Sequence, residues 1–170
     1  MSTNYQSLPS WAYNSEAFFE LEKQHLFLGS WQLVCHLSNI PNNGDYFTFE
    51  LFNERVMAIR GHDGAVRAFH NVCAHRAARL LDGDSGNCGK RLTCPYHNWG
   101  YDLEGNLTNV PYRDQFVDFD ESQNGLVPVE MEIFQGFIFV RLKAADGPSV
   151  ADQFAPYLEE IKPYRFEELE

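Results

Sequence analysis

Two short segments of this 170-residue chain each pair one cysteine with one histidine. Cys73 and His75 form the first pair, and after eighteen intervening residues Cys94 and His97 form the second. Thiolates and imidazoles are the side chains that bind zinc and iron most readily. The recurrence therefore predicts a metal centre held between two loops, with these four side chains as its ligands.

Two kinds of centre use such a set. Zinc takes four ligands in a closed tetrahedral site, whereas a [2Fe–2S] cluster can hold both cysteines on one iron and both histidines on the other. A C2H2 finger has a cysteine pair followed by a histidine pair on a helix, but here each loop supplies one of each and can reach both irons. The spacing favours the mixed-ligand cluster, known as a Rieske cluster, over structural zinc and over ordinary buried cysteines and histidines.

The remaining cysteines are predicted to be ordinary thiols. Cys88 lies in a glycine-containing loop without a matched partner, and Cys35 lies in the apolar run WQLVCH. Free cysteine in such surroundings behaves as a small hydrophobic residue.

A mononuclear non-haem iron site would need two histidines and a carboxylate. His70 and His75 have a suitable separation, but His75 is already assigned and Arg67 stands where an acid is expected. The other histidines are predicted to have structural roles at a helix face, a strand end and a turn: His25, His36 and His62. The sequence thus predicts no catalytic iron site in this chain.

Apolar residues first recur at helical spacing and then, over a long region, alternate with polar residues. Residues 14–28 predict one amphipathic helix, capped by Asn14 or Ser15, with one face formed by Phe18, Leu21, His25 and Leu28. From residue 31 to 142 the period becomes two, and turns such as Asn42-Asn43-Gly44 separate short runs. Those runs predict antiparallel strands near residues 31–36, 47–51, 56–59, 66–69, 91–94, 99–103, 107–110, 129–134 and 136–142. The expected fold is all-β, a small sandwich or barrel.

Helical spacing returns after Gly147-Pro148, where Ser149 and Asp152 form a predicted capping box. Pro156 should break the helix, so we expect two short turns, the second starting at Pro156 and burying Leu158 and Ile161.

Composition limits the partners. Thirteen basic and twenty-four acidic residues give a net charge of −11, with a pI near 4.9. This charge argues against nucleic acid and anionic membranes, and no eighteen-residue apolar run occurs. We expect a soluble, cytoplasmic protein.

The sequence resembles the N-terminal part of the oxygenase α subunit of Rieske non-haem iron oxygenases, the ring-hydroxylating dioxygenase-like proteins. The segments that carry the resemblance span nearly the whole chain: FLGSWQLVCHLSNIPNNGDYFTFEL, VRAFHNVCAHRAARLL, GDSGNC and TCPYHNWGYDLEGNL. The family commonly has glycine where Ala77 and Asn98 stand, and the loop between the two pairs is about one residue longer than is usual in the ring-hydroxylating dioxygenases. Ala78 and Gly100 occupy the places where respiratory Rieske proteins carry a disulfide, which favours a low-potential cluster.

The resemblance implies three regions: an N-terminal arm with its helix at 1–40, a Rieske [2Fe–2S] domain of antiparallel sheets at 41–145, and a linker with short helical turns at 146–170 toward an absent catalytic domain. Arg76, Trp99 and nearby peptide N–H groups are expected to surround the ligands.

By the same resemblance, an electron arrives from an NAD(P)H-dependent flavin reductase or a ferredoxin. It leaves toward a mononuclear Fe(II) outside this chain, in a full-length homotrimer that works as a monooxygenase or dioxygenase. A self-contained Rieske ferredoxin and a zinc-stabilised binding module are the alternatives.

Overall fold

The computed structural model describes residues 7–143 and 146–169. Ten strands in these residues pair antiparallel in three sheets, which confirms the all-β class. The strands are β1 (Gln32–His36), β2 (Asp45–Leu51), β3 (Glu54–Arg60), β4 (Val66–His70), β5 (Ser85–Asn87), β6 (Leu92–Thr93), β7 (Gly100–Tyr101), β8 (Leu107–Asn109), β9 (Glu130–Phe134) and β10 (Phe137–Arg141). The sheet orders are β1-β10-β9, β4-β3-β2-β5 and β6-β7-β8.

Strand β3 separates two hydrophobic cores. Its residues 56–59 are all fully buried, although a strand with one solvated face would alternate. Met57 and Ile59 pack into the core that contains Cys73 and Cys94, whereas Val56 and Ala58 pack into the core between the first two sheets. Side chains at successive strand positions point to opposite faces, so the continuous apolar run serves both cores.

The sequence did not predict β5. Its residues, Ser85–Asn87, are exposed, and the segment GDSGNC has turn-forming composition. Pairing with β2 holds it in place, with Tyr46 opposite Gly86. The hydroxyl of Thr48 also donates to the carbonyl of Gly83, at 2.7 Å.

The N-terminal arm differs in detail from the single helix predicted over 14–28. A turn, α1 (Trp11–Asn14), precedes α2 (Glu16–Glu22), which continues as a π-helix over Lys23–Phe27. Ser15 is the N-cap, since its hydroxyl accepts from the N–H of Phe18 at 3.3 Å. Leu21, in α2, and His25, inside the π turn, are both exposed, so the predicted face does not form as one buried stripe.

Phenylalanine contacts join this arm to the sheet. Phe19 and Phe27 both meet the ring of Phe52, in the turn between β2 and β3, at centroid separations of 5.6 Å. Strand β1, inside the predicted arm, pairs with β10.

The C-terminal segment forms two short helices, α3 (Val150–Phe154) and α4 (Leu158–Ile161), joined by a 3₁₀ turn over Ala155–Tyr157. The capping box of Ser149 and Asp152 is confirmed by reciprocal bonds of 3.0 and 3.1 Å. The helix breaks before Pro156 as predicted, but the predicted burial of Leu158 is wrong, because its side chain is 39% exposed.

Phe154 reaches the sheet instead, stacked on Phe134 at 5.2 Å. Among the described residues, no helix is long and apolar enough to cross a membrane.

Candidate cluster-binding site

The two cysteine–histidine segments adopt the same backbone turn. In each, the cysteine N–H donates to the carbonyl five residues on, at 2.8 Å, for Cys73 with Ala78 and for Cys94 with Trp99. The residue four positions after each cysteine donates back to the cysteine carbonyl at 3.0 Å. That residue is Ala77 in one turn and Asn98 in the other, and both have left-handed φ, 55° and 59°. Matching turns thus present both cysteines in the same way.

The cysteines meet in the interior. Cys73 and Cys94 are each 1% exposed, and their thiols lie within hydrogen-bonding reach of each other. Burial raises the pKa of the Cys73 thiol and Cys94 adds to that rise, whereas hydrogen bonds from Tyr101 and the N–H of His75 lower it. A bound metal ion would reverse this balance, because it favours the thiolate.

The histidines meet nearer the surface. The imidazoles of His75 and His97 are 4.7 Å apart between centroids, with planes at 72°. His75 is half-buried and His97 is exposed. Burial, followed by the charges of His97 and Arg76, lowers the pKa of His75.

One ring atom tests whether this site fits a metal. The Nδ1 atom of His75 is buried without a hydrogen-bond partner among the described residues. A buried ring nitrogen left unpaired costs free energy, unless its lone pair has a use such as metal coordination. The donor set therefore fits a group that takes two thiolates from the interior and imidazole nitrogens from the surface side.

Residues 30–130 match the family model of the Rieske [2Fe-2S] domain. The chain belongs to this family. Its cofactor is a [2Fe–2S] cluster, as the resemblance of the sequence implied.

Relatives of the Rieske domain are oxygenase subunits. The carnitine monooxygenase oxygenase subunit of Escherichia coli (strain K12) is 39% identical over 86% of this chain and 39% of the relative. The biphenyl 2,3-dioxygenase subunit alpha of Rhodococcus jostii (strain RHA1) is 37% identical over 89% of this chain and 32% of the relative. The chain thus spans less than half the length of either relative.

A solved structure has the same fold. It is a quaternary ammonium Rieske monooxygenase, described as giving insights into carnitine oxidation by gut microbiota and inter-subunit electron transfer. It superposes with a TM-score of 0.85 at 35% identity, over 92% of this chain and 42% of that one.

Tyr101 of the Rieske domain contacts a cysteine directly, and sequence reasoning missed it. Its side chain is fully buried, and its hydroxyl lies 3.2 Å from Sγ of Cys73. The same hydroxyl accepts from the N–H of Ala74 at 3.1 Å, which directs its own proton toward the sulfur. Burial raises the pKa of Tyr101, so the phenol stays protonated. Its place in the strand after the second loop was the available signal.

Trp99 and Arg76, both predicted to surround the ligands, lie beside His75. The Trp99 ring stacks on the imidazole with centroids 4.8 Å apart and planes at 10°. Arg76 is exposed and acts on His75 through its charge.

Two asparagines that the sequence reasoning did not single out fix the loops. Asn71 is 2% exposed and its carbonyl oxygen accepts from the N–H groups of Leu80 and Leu81 at 3.2 and 2.9 Å. Asn109 donates to the carbonyl of Asn98 at 2.9 Å, which ties the second loop to β8. The position of Asn71 two residues before Cys73 was the signal available in the sequence for the first of these.

The remaining cysteines lie outside the two loops. Cys35 is in the other core, where burial raises the pKa of its thiol to about 12. Cys88 donates from Sγ to the carbonyl of Gly44 at 3.3 Å.

The remaining histidines also lie apart from the loops' imidazoles. The Nδ1 atom of His70 lies 3.6 Å from a carboxylate oxygen of Glu54. The ring of His62 contacts the carbonyl of Lys90, and Nδ1 of His36 accepts a hydrogen bond from the N–H of Ser38. Among the described residues, no group of three or more His, Cys, Asp and Glu side chains is arranged to hold one metal ion.

Proposed function

We propose that Cys73 and Cys94 hold one iron of the cluster, that His75 and His97 hold the other, and that the domain relays single electrons. The observation that carries this proposal is the sorting of the four side chains into a buried cysteine pair and an outer histidine pair. A zinc ion would need all four side chains around a single metal position, whereas a [2Fe–2S] cluster takes one pair of side chains on each iron.

The chain's own residues divide the work. When bound, the cluster takes up and returns one electron at a time. Core residues of β3, β6 and β7 pack around Cys73 and Cys94, so water cannot reach their sulfur atoms through the interior of the domain. The exposed imidazole of His97 offers the shortest path between the site and an external partner. A cavity of about 330 Å³ opens beside both histidines, walled by Trp99, Tyr112 and Phe116.

We propose a reductase as the donor, a flavin enzyme that oxidises NAD(P)H or a ferredoxin between the two. The acceptor is a mononuclear iron in a catalytic domain outside residues 1–170, which the segment 146–170 leads toward. The relatives support this proposal, because one is named for carnitine and the other for biphenyl, while this chain is 39% identical to the first relative and 37% identical to the second. A part shared by enzymes with such different substrates fits electron delivery better than substrate binding.

The matched solved structure is described as revealing insights into inter-subunit electron transfer. For this protein we accordingly propose an assembly, a trimer when full length, in which the histidine edge of one subunit faces the acceptor of the next.

Metal analysis with spectroscopy tests the proposal. The purified protein should be red-brown, with about two irons and two acid-labile sulfides per chain, and should give a rhombic paramagnetic signal once reduced. Reduction by NAD(P)H should require added reductase. One zinc per chain without visible absorption would instead establish a zinc-stabilised module.

A second measurement separates the relay from a self-contained carrier. Mixed with reductase and candidate substrates, this chain should be reduced without forming product. The reduced domain should then return its electron to an oxygenase whose own cluster has been removed. Failure of that transfer, with full transfer to unrelated acceptors, would favour the ferredoxin alternative.

A further inference from the structure

The segment between β8 and β9 lies against the histidine side of the site. Two phenylalanines of this segment, Phe116 and Phe119, pack edge-on to the ring of Trp99 at centroid separations of 6.1 and 5.4 Å. They also contact each other at 5.4 Å, and Phe116 reaches the His75 imidazole at 6.4 Å. We call Phe116 and Phe119 the aromatic cap, since they cover the stacked pair of Trp99 and His75.

One arginine holds the cap in place. The guanidinium of Arg113 donates through Nη1 to the carbonyl of Phe116 at 3.1 Å and through Nη2 to the carbonyl of Phe119. The Nε atom of Arg113 donates to the carboxylate of Glu121 at 3.0 Å. The Cζ atom of the same guanidinium lies 5.0 Å from the centre of the Phe119 ring. Three nitrogens of one planar group thus bind three points of the segment, which an ammonium group cannot reproduce.

The backbone of the segment needs such a clamp. Tyr112 and Asp118 both have left-handed φ, 57° and 52°. Aspartate tolerates this conformation, but it costs a tyrosine about 1 kcal/mol or more and persists there only where surrounding contacts impose it. Without the bonds of Arg113, the segment would relax and carry the aromatic cap away from Trp99.

We propose that Arg113 is a positioning residue for the cluster, acting through the aromatic cap to fix the imidazole plane of His75 and to keep water from the Trp99 ring stacked on it, which is 3% exposed. Arg113 makes no contact with the four candidate ligands among its hydrogen bonds and ion pairs. The inference rests on the proposed function of the site.

The direction of the effect follows from charge. Two ferric ions, two sulfides and two thiolates sum to zero, so the oxidised cluster is neutral and the reduced cluster carries one negative charge. Water stabilises the charged form more than the neutral one, so opening the cap should raise the reduction potential. Loss of the positive charge of Arg113 alone would lower it.

Arg113→Lys separates the two effects, because it keeps the charge and removes the three-point clamp. We expect the equilibrium constant for reduction of the cluster by a one-electron mediator to rise about tenfold, which corresponds to a rise of about 59 mV in reduction potential. Phe116→Ala should shift it in the same direction, and the double variant should shift it no further than the larger single change, since both act through one element. Phe116→Leu, which refills the space, and Arg165→Gln on the distant C-terminal segment should remain near the parent.

Iron and sulfide content and the g values of the reduced signal are measured on every sample. The g values of Arg113→Lys and Phe116→Ala should change together, because they report the orientation of the imidazole ligand. A fully loaded Arg113→Lys whose potential and g values equal those of Arg165→Gln would overturn the inference. If Arg113→Lys does not fold, an unchanged potential in Phe116→Ala would overturn it equally. Parent protein lacking iron and sulfide would contradict the proposed function instead, so the two failures are distinguishable.

Discussion

The hydroxyl of Tyr101 lies 3.2 Å from the Sγ atom of Cys73 and has no other acceptor among the described residues. Its proton therefore points at the sulfur of Cys73, which as a proposed ligand would gain negative charge when the cluster is reduced. If Cys73 binds the cluster as proposed, the phenol should stabilise the reduced state more than the oxidised state.

Tyr101→Phe should lower the reduction potential by about 40 mV, the equivalent of about 1 kcal/mol for one electron. The ring remains to fill the core, so iron content should not change. Tyr46→Phe is the matched control, since within the described part of the chain the Tyr46 hydroxyl binds only the carbonyl of Asp82, at 3.3 Å. Equal potentials for the two variants would show that the phenol does not act on the cluster.

Substitution of the candidate ligands should sort the cysteines. Cys73→Ser, Cys94→Ser, His75→Ala and His97→Ala should each lose most of the iron and of the visible absorption, because both loops depend on one centre and metal binding is coupled to folding. Cys88→Ser and Cys35→Ser should keep both. Bleaching of the protein by Cys88→Ser would disprove the assignment of ligands.

The left-handed residues of the two turns should respond differently to glycine. Ala77→Gly should raise the free energy of unfolding by about 0.5–1 kcal/mol, because φ of 55° strains an alanine. Asn98→Gly should be close to neutral, since asparagine tolerates this conformation and its carbonyl bond to Asn109 is retained. Denaturant unfolding of the cluster-loaded protein measures both. A lower free energy of unfolding in Ala77→Gly would show that the left-handed backbone of Ala77 does not destabilise the protein.

The ion pair of Glu130 and Arg141 should make stability depend on pH. Arg141 is 8% exposed and donates from Nε to Glu130 at 2.8 Å, and this bond holds the pKa of Glu130 below its ordinary value. A carboxylate whose pKa is lower in the folded state stabilises the protein at pH values above its pKa in the unfolded chain. This stabilisation is lost as the pH falls through the pKa of the folded state.

Glu130→Gln should therefore cost about 1–2 kcal/mol at neutral pH, and the difference from the parent should shrink as the medium becomes acidic. Urea unfolding at several pH values gives the measurement, and Glu159→Gln on the exposed face of α4 is the control. A cost that stays constant down to strongly acidic pH would rule out the ion pair as its source.

Local sequence patterns predicted much of the fold, because the structures that they predict depend on residues that are close together in the chain. The capping box of Ser149 and the break before Pro156 are set within a few residues, and the structure has both. The π turn of the arm and the exposure of Leu158 were missed, because each depends on which face a distant sheet covers. Strand β5 was missed for a related reason, since only pairing with β2 orders its polar residues.

The sequence alone determined the chemistry of the candidate site: which four side chains could bind metal, and that each loop offers one thiolate and one imidazole. Residue type and spacing decide those properties, and the family match supports the [2Fe–2S] cluster that they implied. Only the tertiary structure decided that the cysteines face inward and the histidines outward, that Tyr101 contacts Cys73 and Trp99 stacks on His75, and that Asn71 holds the first loop. These contacts join residues from separate strands and loops, so they arise from packing around two cores that no short stretch of sequence encodes.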